Sequence, residues 1–158
     1  MFVSRCIDRP PSFAMDDLMS SAVRARILVV EDSPSMRGFV RAALEGAQAS
    51  LGPVEVSEAQ SGFEALRLLP RGPYSLVITD VNMPDINGLE LVQFIRNNEQ
   101  HRATRIVIIS TQSAERDRER GLKLGANAFL AKPFTVDAIV EMTRLQLAAA
   151  TEPARPNG

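Results

Sequence analysis

The stretch from Leu76 to Gly88 reads LVITDVNMPDING, and it joins a strand pattern to a helix start. The unbroken run that begins at Leu76 is typical of a strand covered on both faces of a sheet. An acidic residue, Asp80, ends the run. The pattern Asn87-x-x-Glu90 then predicts the N-terminus of a helix. A buried strand that leads through a loop into a helix is the repeating unit of parallel α/β proteins.

Strand and helix patterns of this kind alternate five times along the chain. Two more continuous apolar runs, Ile27–Val30 and Ile106–Ile109, predict buried strands, and shorter strands are expected at Val54–Val56 and Ala128–Leu130. Helix starts are indicated by Ser33-Pro34, by Ser61-x-x-Glu64, by Asn87-x-x-Glu90 and by Thr135. The fold class predicted is α/β, a doubly wound five-stranded parallel sheet.

The predicted helices differ in how well they are anchored. The first and last have apolar faces at helical spacing, whereas the fourth opens with six consecutive charges, Glu115–Arg120. Opposite charges at i, i+3 and like charges at i, i+4 nearly cancel there, so the fourth helix is expected to be weakly held. The apolar faces are Met36, Phe39, Val40, Ala43 and Leu44 for the first helix, Ala114, Gly121, Leu122 and Leu124 for the fourth, and Val136, Ile139, Val140 and Leu147 for the fifth.

Composition limits the class of protein. The formal net charge of −1 offers no basic patch for nucleic acid, and no apolar run approaches the roughly 20 residues that cross a bilayer. The single cysteine, Cys6, fits a reducing compartment, and the first 14 residues lack the apolar stretch of a signal peptide. A cytoplasmic protein is therefore expected, with a disordered extension at 1–24, one folded domain at 25–148 and a disordered tail at 149–158.

Polar residues end four of the predicted strands. The pair Glu31-Asp32 follows the first strand, Asp80 ends the third, Ser110 ends the fourth, and Lys132 follows the fifth. Because the carboxyl ends of parallel strands meet at one edge, these groups are expected to share a pocket. Each has an ordinary explanation alone, as a turn acid or a surface lysine, but the combination favours a site for a metal and a phosphoryl group.

With these motifs, the chain resembles the receiver domain of two-component response regulators. Within that family it is most similar to single-domain regulators of the chemotaxis CheY kind. The resemblance covers Arg26 to about Leu147, and the family is itself a standard example of the flavodoxin-like (βα)5 sheet with strand order 2-1-3-4-5. The matching motifs are LVVEDS at 28–33, TDVNMPDING at 79–88, ST at 110–111, GANAF at 125–129 and KPF at 132–134.

The resemblance implies a role for each site residue. Asp80 would accept the phosphoryl group, and Ser110 and Lys132 would hold its oxygens. Mg²⁺ would be bound by Asp32 and Asp80 directly, by the backbone carbonyl of Asn82, and by Glu31 through water. Ser110 and Phe129 would form the switch, with Phe129 turning inward when Ser110 moves. The Lys132-Pro133 peptide bond would be cis.

Three positions depart from the common pattern of the family. Ser110 stands where threonine is usual, which should preserve the hydrogen bond to phosphate. Phe129 lacks the hydroxyl of the frequent tyrosine, and Thr111 is larger than the usual residue, which would narrow the approach of water or of a bulky phosphodonor.

The resemblance also implies partners. A histidine kinase or a phosphotransfer protein would supply the phosphoryl group, and a downstream protein would read the face formed by helix four, strand five and helix five. Neither nucleic acid nor membrane is expected as a partner; a monomer is expected, with a dimer possible. The protein would not be an enzyme in the usual sense, although it would catalyse its own phosphorylation and dephosphorylation.

Other classes remain as alternatives. A phosphatase of the haloacid-dehalogenase type would have a second acid two residues after the nucleophile, on its first strand, whereas Asp80 is followed by Asn82 on the third. A flavin carrier would have a Ser/Thr/Gly-rich phosphate loop after strand one, which is missing. A receiver-like module that works without phosphorylation, and a phosphorelay intermediate or phosphate sink, stay open.

Overall fold

The computed structural model describes residues 24–111 and 115–151. Five parallel strands form one sheet in the order β2-β1-β3-β4-β5. The strands are β1 (Ala25–Val30), β2 (Val54–Ala59), β3 (Leu76–Asp80), β4 (Arg105–Thr111) and β5 (Ala128–Lys132). The helices are α1 (Pro34–Gly46), α2 (Gly62–Leu68), α3 (Gly88–Asn97), α4 (Glu115–Leu124) and α5 (Val136–Thr151), with one further turn at Gln48–Leu51 and a 3₁₀ turn at Leu69–Arg71. The predicted fold class is confirmed.

Helices cover both faces of the sheet. Alternate residues of each strand point to opposite faces, so Leu28 packs into one core layer and Ile27 into the other. The layer around Leu28 is completed by α2, α3 and α4, and the layer around Ile27 by α1 and α5. Burial on both faces is the reason that β1, β3 and β4 are continuous apolar runs in the sequence.

The helix starts follow the predicted caps. The Ser33 side chain accepts a hydrogen bond from the Met36 amide, with Pro34 in the first turn. Asn87 and Glu90 form a complete capping box on α3. On α2 the Ser61 side chain caps the Glu64 amide, but the Glu64 carboxylate accepts from the Gln60 amide rather than from Ser61.

Several expected core positions lie at the surface. Phe39 is 38% exposed and Val136 46% exposed, and both line an open groove between α1 and α5. The Phe39 ring instead lies against Phe134, with 5.9 Å between the ring centroids. On α4, Leu122 is 40% exposed, while Leu124 packs against the core. Ala114, the other expected anchor, lies outside the described residues.

Gly121 brings α4 close to the sheet. It is buried, and a Cβ atom there would lie 2.3 Å from Cδ1 of Ile108 on β4. Of the expected charge pairs in α4, the described residues show Glu115 with Arg118 at 3.4 Å. The helix is therefore attached mainly through Gly121 and Leu124, and its charges lie at the surface.

The boundaries differ slightly from those predicted. The second strand reaches Ala59, and α5 continues to Thr151 rather than ending at 148, because Ala148 to Ala150 are strong helix formers and the first proline comes at Pro153. The expected extension and the rest of the expected tail lie outside the described residues. Within residues 24–111 and 115–151, no helix combines the length and apolar character needed to cross a bilayer.

Candidate functional site

The carboxyl edge of the sheet brings together the predicted acids. Glu31 and Asp32 follow β1 directly, and Asp80 is the last residue of β3, the neighbouring strand. Carboxylate oxygens of all three lie within 4.8 Å of one another. Glu31 and Asp80 are buried, whereas Asp32 is exposed. The first part of the predicted site is therefore assembled as expected.

Lys132 reaches into this acidic cluster from the end of β5. Its Nζ atom lies 3.0 Å from Oε2 of Glu31 and 3.2 Å from Oδ2 of Asp80. Burial alone would lower the pKa of Lys132, but its hydrogen bonds and the charges of the two acids outweigh burial and raise it. The lysine therefore stays charged and bridges two carboxylates.

Burial also raises the pKa of Glu31, although the Lys132 hydrogen bond opposes the shift. The negative charge of Asp80 adds to the rise. Three neighbouring carboxylates beside one lysine leave a surplus of negative charge that disfavours ionisation. A further cation would relieve that repulsion.

Ser110 is fully buried on β4, and its Oγ atom has no hydrogen-bond partner among the described residues. A buried hydroxyl without a partner costs about 1–3 kcal/mol, so such groups call for an explanation. Ser110 is the second-to-last residue of β4, the strand next to β3, which ends at Asp80. A group bound at the carboxylates would therefore lie near its hydroxyl.

The loop after Asp80 is held in place by three features. The Asn82 amide donates to Oδ1 of Asp80 at 3.4 Å. The Asp85 carboxylate accepts from the amides of Gly62 and Phe63 at the start of α2, at 3.3 and 2.9 Å. These bonds, with that of Phe63 the largest effect, hold the pKa of Asp85 below its ordinary value. Gly88 fits against Asp80, since a Cβ atom there would lie 2.3 Å from the Asp80 carbonyl oxygen.

A cavity of about 550 Å³ opens beside the acids. Besides Asp32 and Asn82, it is lined by Asp117 and Arg120 of α4, which were not among the predicted site residues. Its remaining lining residues are Val81, Met83, Pro84, Asn87 and Leu89. The charged face of α4 therefore borders the site directly.

Phe129 lies on β5, and Pro133 directly follows that strand. Phe129 pairs with Ile108 across β4 and β5 and packs, partly buried, against the core. The Lys132-Pro133 peptide bond is cis, as expected, and Gly72-Pro73 is also cis. Phe129 pairs with Ile108, which is two residues before Ser110 on β4.

The donor set fits Mg²⁺. Carboxylate oxygens from Glu31, Asp32 and Asp80 are the hard ligands that this ion prefers, and exposed Asp32 leaves room for coordinated water. The Ser110 hydroxyl, which has no partner among the described residues, and the Lys132 ammonium lie at the same edge of the sheet. Mg²⁺ would therefore both relieve the repulsion between these acids and match their oxygen ligands.

Sequence reasoning missed the residues that position the acids. Arg37 of α1 donates to the Glu31 carbonyl oxygen at 2.8 Å, and Asp85 and Gly88 shape the loop after Asp80. Arg37 and Asp85 are polar residues with backbone partners elsewhere in the chain, so neither produces a periodic signal. Asp85 and Gly88 both belong to the motif at 79–88, but only the structure shows what they contact.

Most of this chain is similar to known proteins. A family model described as the response regulator receiver domain matches residues 27–144. A chemotaxis protein CheY homolog from Campylobacter jejuni is 36% identical over 117 residues, which are 73% of this chain and 87% of that protein. Chemotaxis protein CheY1 from Helicobacter pylori is 34% identical over 123 residues, 77% of this chain and 96% of that protein.

Solved structures give the same result. The structure of the chemotaxis response regulator CheY4 of Vibrio cholerae matches with a TM-score of 0.71 and 31% identity, over 78% of this chain and 99% of that one. A response regulator from Chloroflexus aurantiacus matches with a TM-score of 0.73 and 29% identity, over 79% and 98% of the two chains.

Proposed function

Because this chain belongs to the response regulator receiver domain family of two-component systems, whose general function is a phosphorylation-based switch, we propose that Asp80 accepts the phosphoryl group. The observation that supports this most directly is the joint placement of Asp80, the Lys132 ammonium and the unpartnered Ser110 hydroxyl at one edge of the sheet. Receiver domains are signalling switches rather than enzymes in the usual sense.

The proposed reaction is a transfer between side chains. A carboxylate oxygen of Asp80 attacks the phosphorus of a phosphohistidine on a kinase or phosphotransfer protein. The phosphorus–nitrogen bond breaks, and the released imidazole nitrogen takes up a proton. Such transfers depend mostly on positioning and on neutralising the charge of the phosphoryl oxygens. Asp32, Asp80 and the Asn82 carbonyl, with Glu31 acting through water, would hold Mg²⁺, which would supply part of that neutralisation.

Two residues of this chain would change partners in the reaction. Lys132 already touches Asp80 and would follow the new charge onto a phosphoryl oxygen. Ser110 would gain the hydrogen bond that it lacks in this structure. A contact present in only one state shifts a two-state equilibrium, so these two bonds would favour the active conformation. As Ser110 moves, Phe129 would turn inward behind it.

The output would leave through protein contact. We propose that the face formed by α4, β5 and α5 binds a downstream protein, in a chemotaxis-type pathway like those of the CheY relatives. The weak anchoring of α4 makes this face easy to reshape. We propose that the protein acts in the cytoplasm as a monomer that binds Mg²⁺. It would need neither nucleic acid nor a membrane as a partner.

The switch is tested by ¹H–¹⁵N spectra of the protein with Mg²⁺, before and after adding beryllofluoride. Amide shifts of Thr111, Phe129 and residues of α4 should change in the wild-type protein and stay constant in an Asp80→Asn variant. A wild-type spectrum that beryllofluoride leaves unchanged would favour the alternative, a receiver-like module that works without phosphorylation.

A further inference from the structure

Arg37 spans three elements behind the acidic site. It is the fourth residue of α1, and its side chain is 17% exposed. Its Nη1 atom donates to the backbone carbonyl oxygen of Glu31 at 2.8 Å, and its Nε atom donates to Oε1 of Glu58 on β2 at 3.1 Å. One guanidinium therefore links the end of β1 to both α1 and β2.

The bond to the Glu31 carbonyl acts on the following residue. A peptide bond is planar, so the carbonyl of Glu31 and the amide nitrogen of Asp32 lie in one rigid unit. The other polar groups of Glu31 are also held: its amide donates to Ala59, and its carboxylate contacts Ser33 and Lys132. Fixing the carbonyl fixes the direction in which the chain enters Asp32.

Asp32 depends on that restraint more than its neighbours do. It is exposed, and no hydrogen bond or ion pair holds its carboxylate in the part of the chain that the structure describes. Glu31 and Asp80, by contrast, are each bonded to Lys132. The position of the Asp32 carboxylate is therefore set mainly by its backbone, and the backbone is held by Arg37.

From this geometry we infer that Arg37 is a positioning residue for the Mg²⁺ site. Through the Glu31 carbonyl it places Asp32 for Mg²⁺, and Glu58 holds the guanidinium in its orientation. The inference rests on the proposed function, because it concerns the same metal site. Arg37 itself touches neither the metal nor the phosphoryl group. Groups that orient metal ligands in this way typically change metal affinity by about 10–100-fold when removed.

The charge of Arg37 and its proposed positioning role predict opposite changes in Mg²⁺ affinity when Arg37 is removed. A cation beside an acidic site repels Mg²⁺, so removing it should tighten binding if charge is all that matters. Removing a positioning bond should weaken binding instead. Arg41 provides the matched control, because it contacts the same Glu58 carboxylate from the same helix and contacts Glu45, but does not bond to Glu31.

Calorimetric titration of the full chain with Mg²⁺ separates these cases. We expect Arg37→Ala to weaken Mg²⁺ binding by about 10-fold or more, and Arg41→Ala to change it less than about 2-fold. Arg37→Lys retains the charge but cannot donate to Glu31 and Glu58 in the same fork geometry, so it should also weaken binding. This variant decides the question if Arg37→Ala does not fold, and melting temperatures of all three report folding separately.

Mg²⁺ affinity in Arg37→Ala or Arg37→Lys that equals or exceeds that of the wild type would overturn the positioning role while leaving the proposed function intact. Equal losses in the Arg37 and Arg41 variants would also overturn it, since they would reflect the Glu58 cluster in general. A wild-type protein that binds no Mg²⁺ would overturn the proposed function, and this inference with it.

Discussion

Lys132 is a single residue that contacts two carboxylates with different roles. Its bond to Asp80 connects it to the proposed acceptor, and its bond to Glu31 keeps it in the acidic cluster before any phosphoryl group arrives. The raised pKa keeps the lysine charged at neutral pH. If Asp80 is the acceptor as proposed, the ammonium group lies beside it, and removing it should affect the switch more than the metal site.

We expect Lys132→Ala to bind Mg²⁺ still but to lose the coupling between phosphorylation and the α4 face. Couplings of about 1–3 kcal/mol correspond to roughly 5–150-fold in partner affinity, and one charged contact is a large share of that. Spectra with and without beryllofluoride should then coincide at Thr111 and Phe129. Wild-type shift changes in Lys132→Ala would show that this lysine does not carry the signal.

Ser110 allows an unusual prediction about stability. Its hydroxyl has no partner among the described residues, so Ser110→Ala removes a buried group that is unsatisfied there and should leave the free energy of unfolding unchanged or raise it by about 1 kcal/mol. Thr143→Val is the control, since that buried hydroxyl donates to the Ile139 carbonyl at 2.8 Å. In urea unfolding, Thr143→Val should lower the free energy of unfolding by about 1 kcal/mol. A comparable loss in Ser110→Ala would mean that the hydroxyl is bonded in solution.

Between elements, the close approach of α3 to β3 holds the loop after Asp80 in place. We expect Gly88→Ala to be destabilised by about 1–3 kcal/mol, because its Cβ would meet backbone atoms of Asp80 that cannot move aside. Phosphorylation should slow as well. Gly38→Ala is the matched control in α1, where nothing lies within 4 Å of a Cβ, and it should gain about 0.5–1 kcal/mol. Equal stability of the two variants in urea would contradict the close contact.

Glu58 links α1 to β2 through two arginines. Its hydrogen bond from Arg41, with that from Arg37, holds the pKa of Glu58 below its ordinary value of 4.5. A folded-state pKa below the unfolded one gives a contribution that is present above the unfolded pKa and is lost as the pH falls through the folded pKa. We therefore expect Glu58→Gln to be less stable than the wild type at pH 7, by about 1 kcal/mol or less.

This difference should shrink as the pH falls from the unfolded pKa through the lower folded pKa, because the wild-type Glu58 is then itself protonated. Urea unfolding of both proteins across that range measures it. A stability difference that persists unchanged at low pH would show that Glu58 acts through packing rather than through its charge.

For the whole molecule, the first strand of the described residues begins at Ala25. The Ala25 amide bonds to the Pro53 carbonyl, and the family match covers residues 27–144. We expect a chain that starts at Met19 to fold and to take phosphate from acetyl phosphate at the wild-type rate, since every proposed site residue lies within the sheet and its edge. Loss of folding or of phosphorylation in that shorter chain, measured by circular dichroism and intact mass, would show that the preceding residues take part.

The sheet was predictable because its strands are buried on both faces. Ile27–Val30 and Ile106–Ile109 are continuous apolar runs for that reason, and parallel strands bring their ends, and hence Asp32, Asp80 and Lys132, to one edge. The partners of Arg37 and Asp85 were not predictable. Their bonds go to backbone groups whose positions depend on how α1 and α2 pack, and this information is not local in sequence.

The exposure of Phe39 and Val136 could not be foreseen from spacing either. Both fall on the correct side of their helices, but the tilt of each helix on the sheet decides whether the edge of an apolar stripe is covered. The roles of Asp80, Ser110 and Lys132 remain predictions, supported by their convergence.

Intact-mass spectrometry of the protein incubated with Mg²⁺ and acetyl phosphate tests the proposed role of Asp80 most directly. The wild-type mass should rise by one phosphoryl group, and Asp80→Asn should stay unmodified, while Asp137→Asn, an exposed acid in the first turn of α5, should behave as the wild type does. Phosphorylation of Asp80→Asn at the wild-type yield would place the acceptor elsewhere and contradict the proposed function.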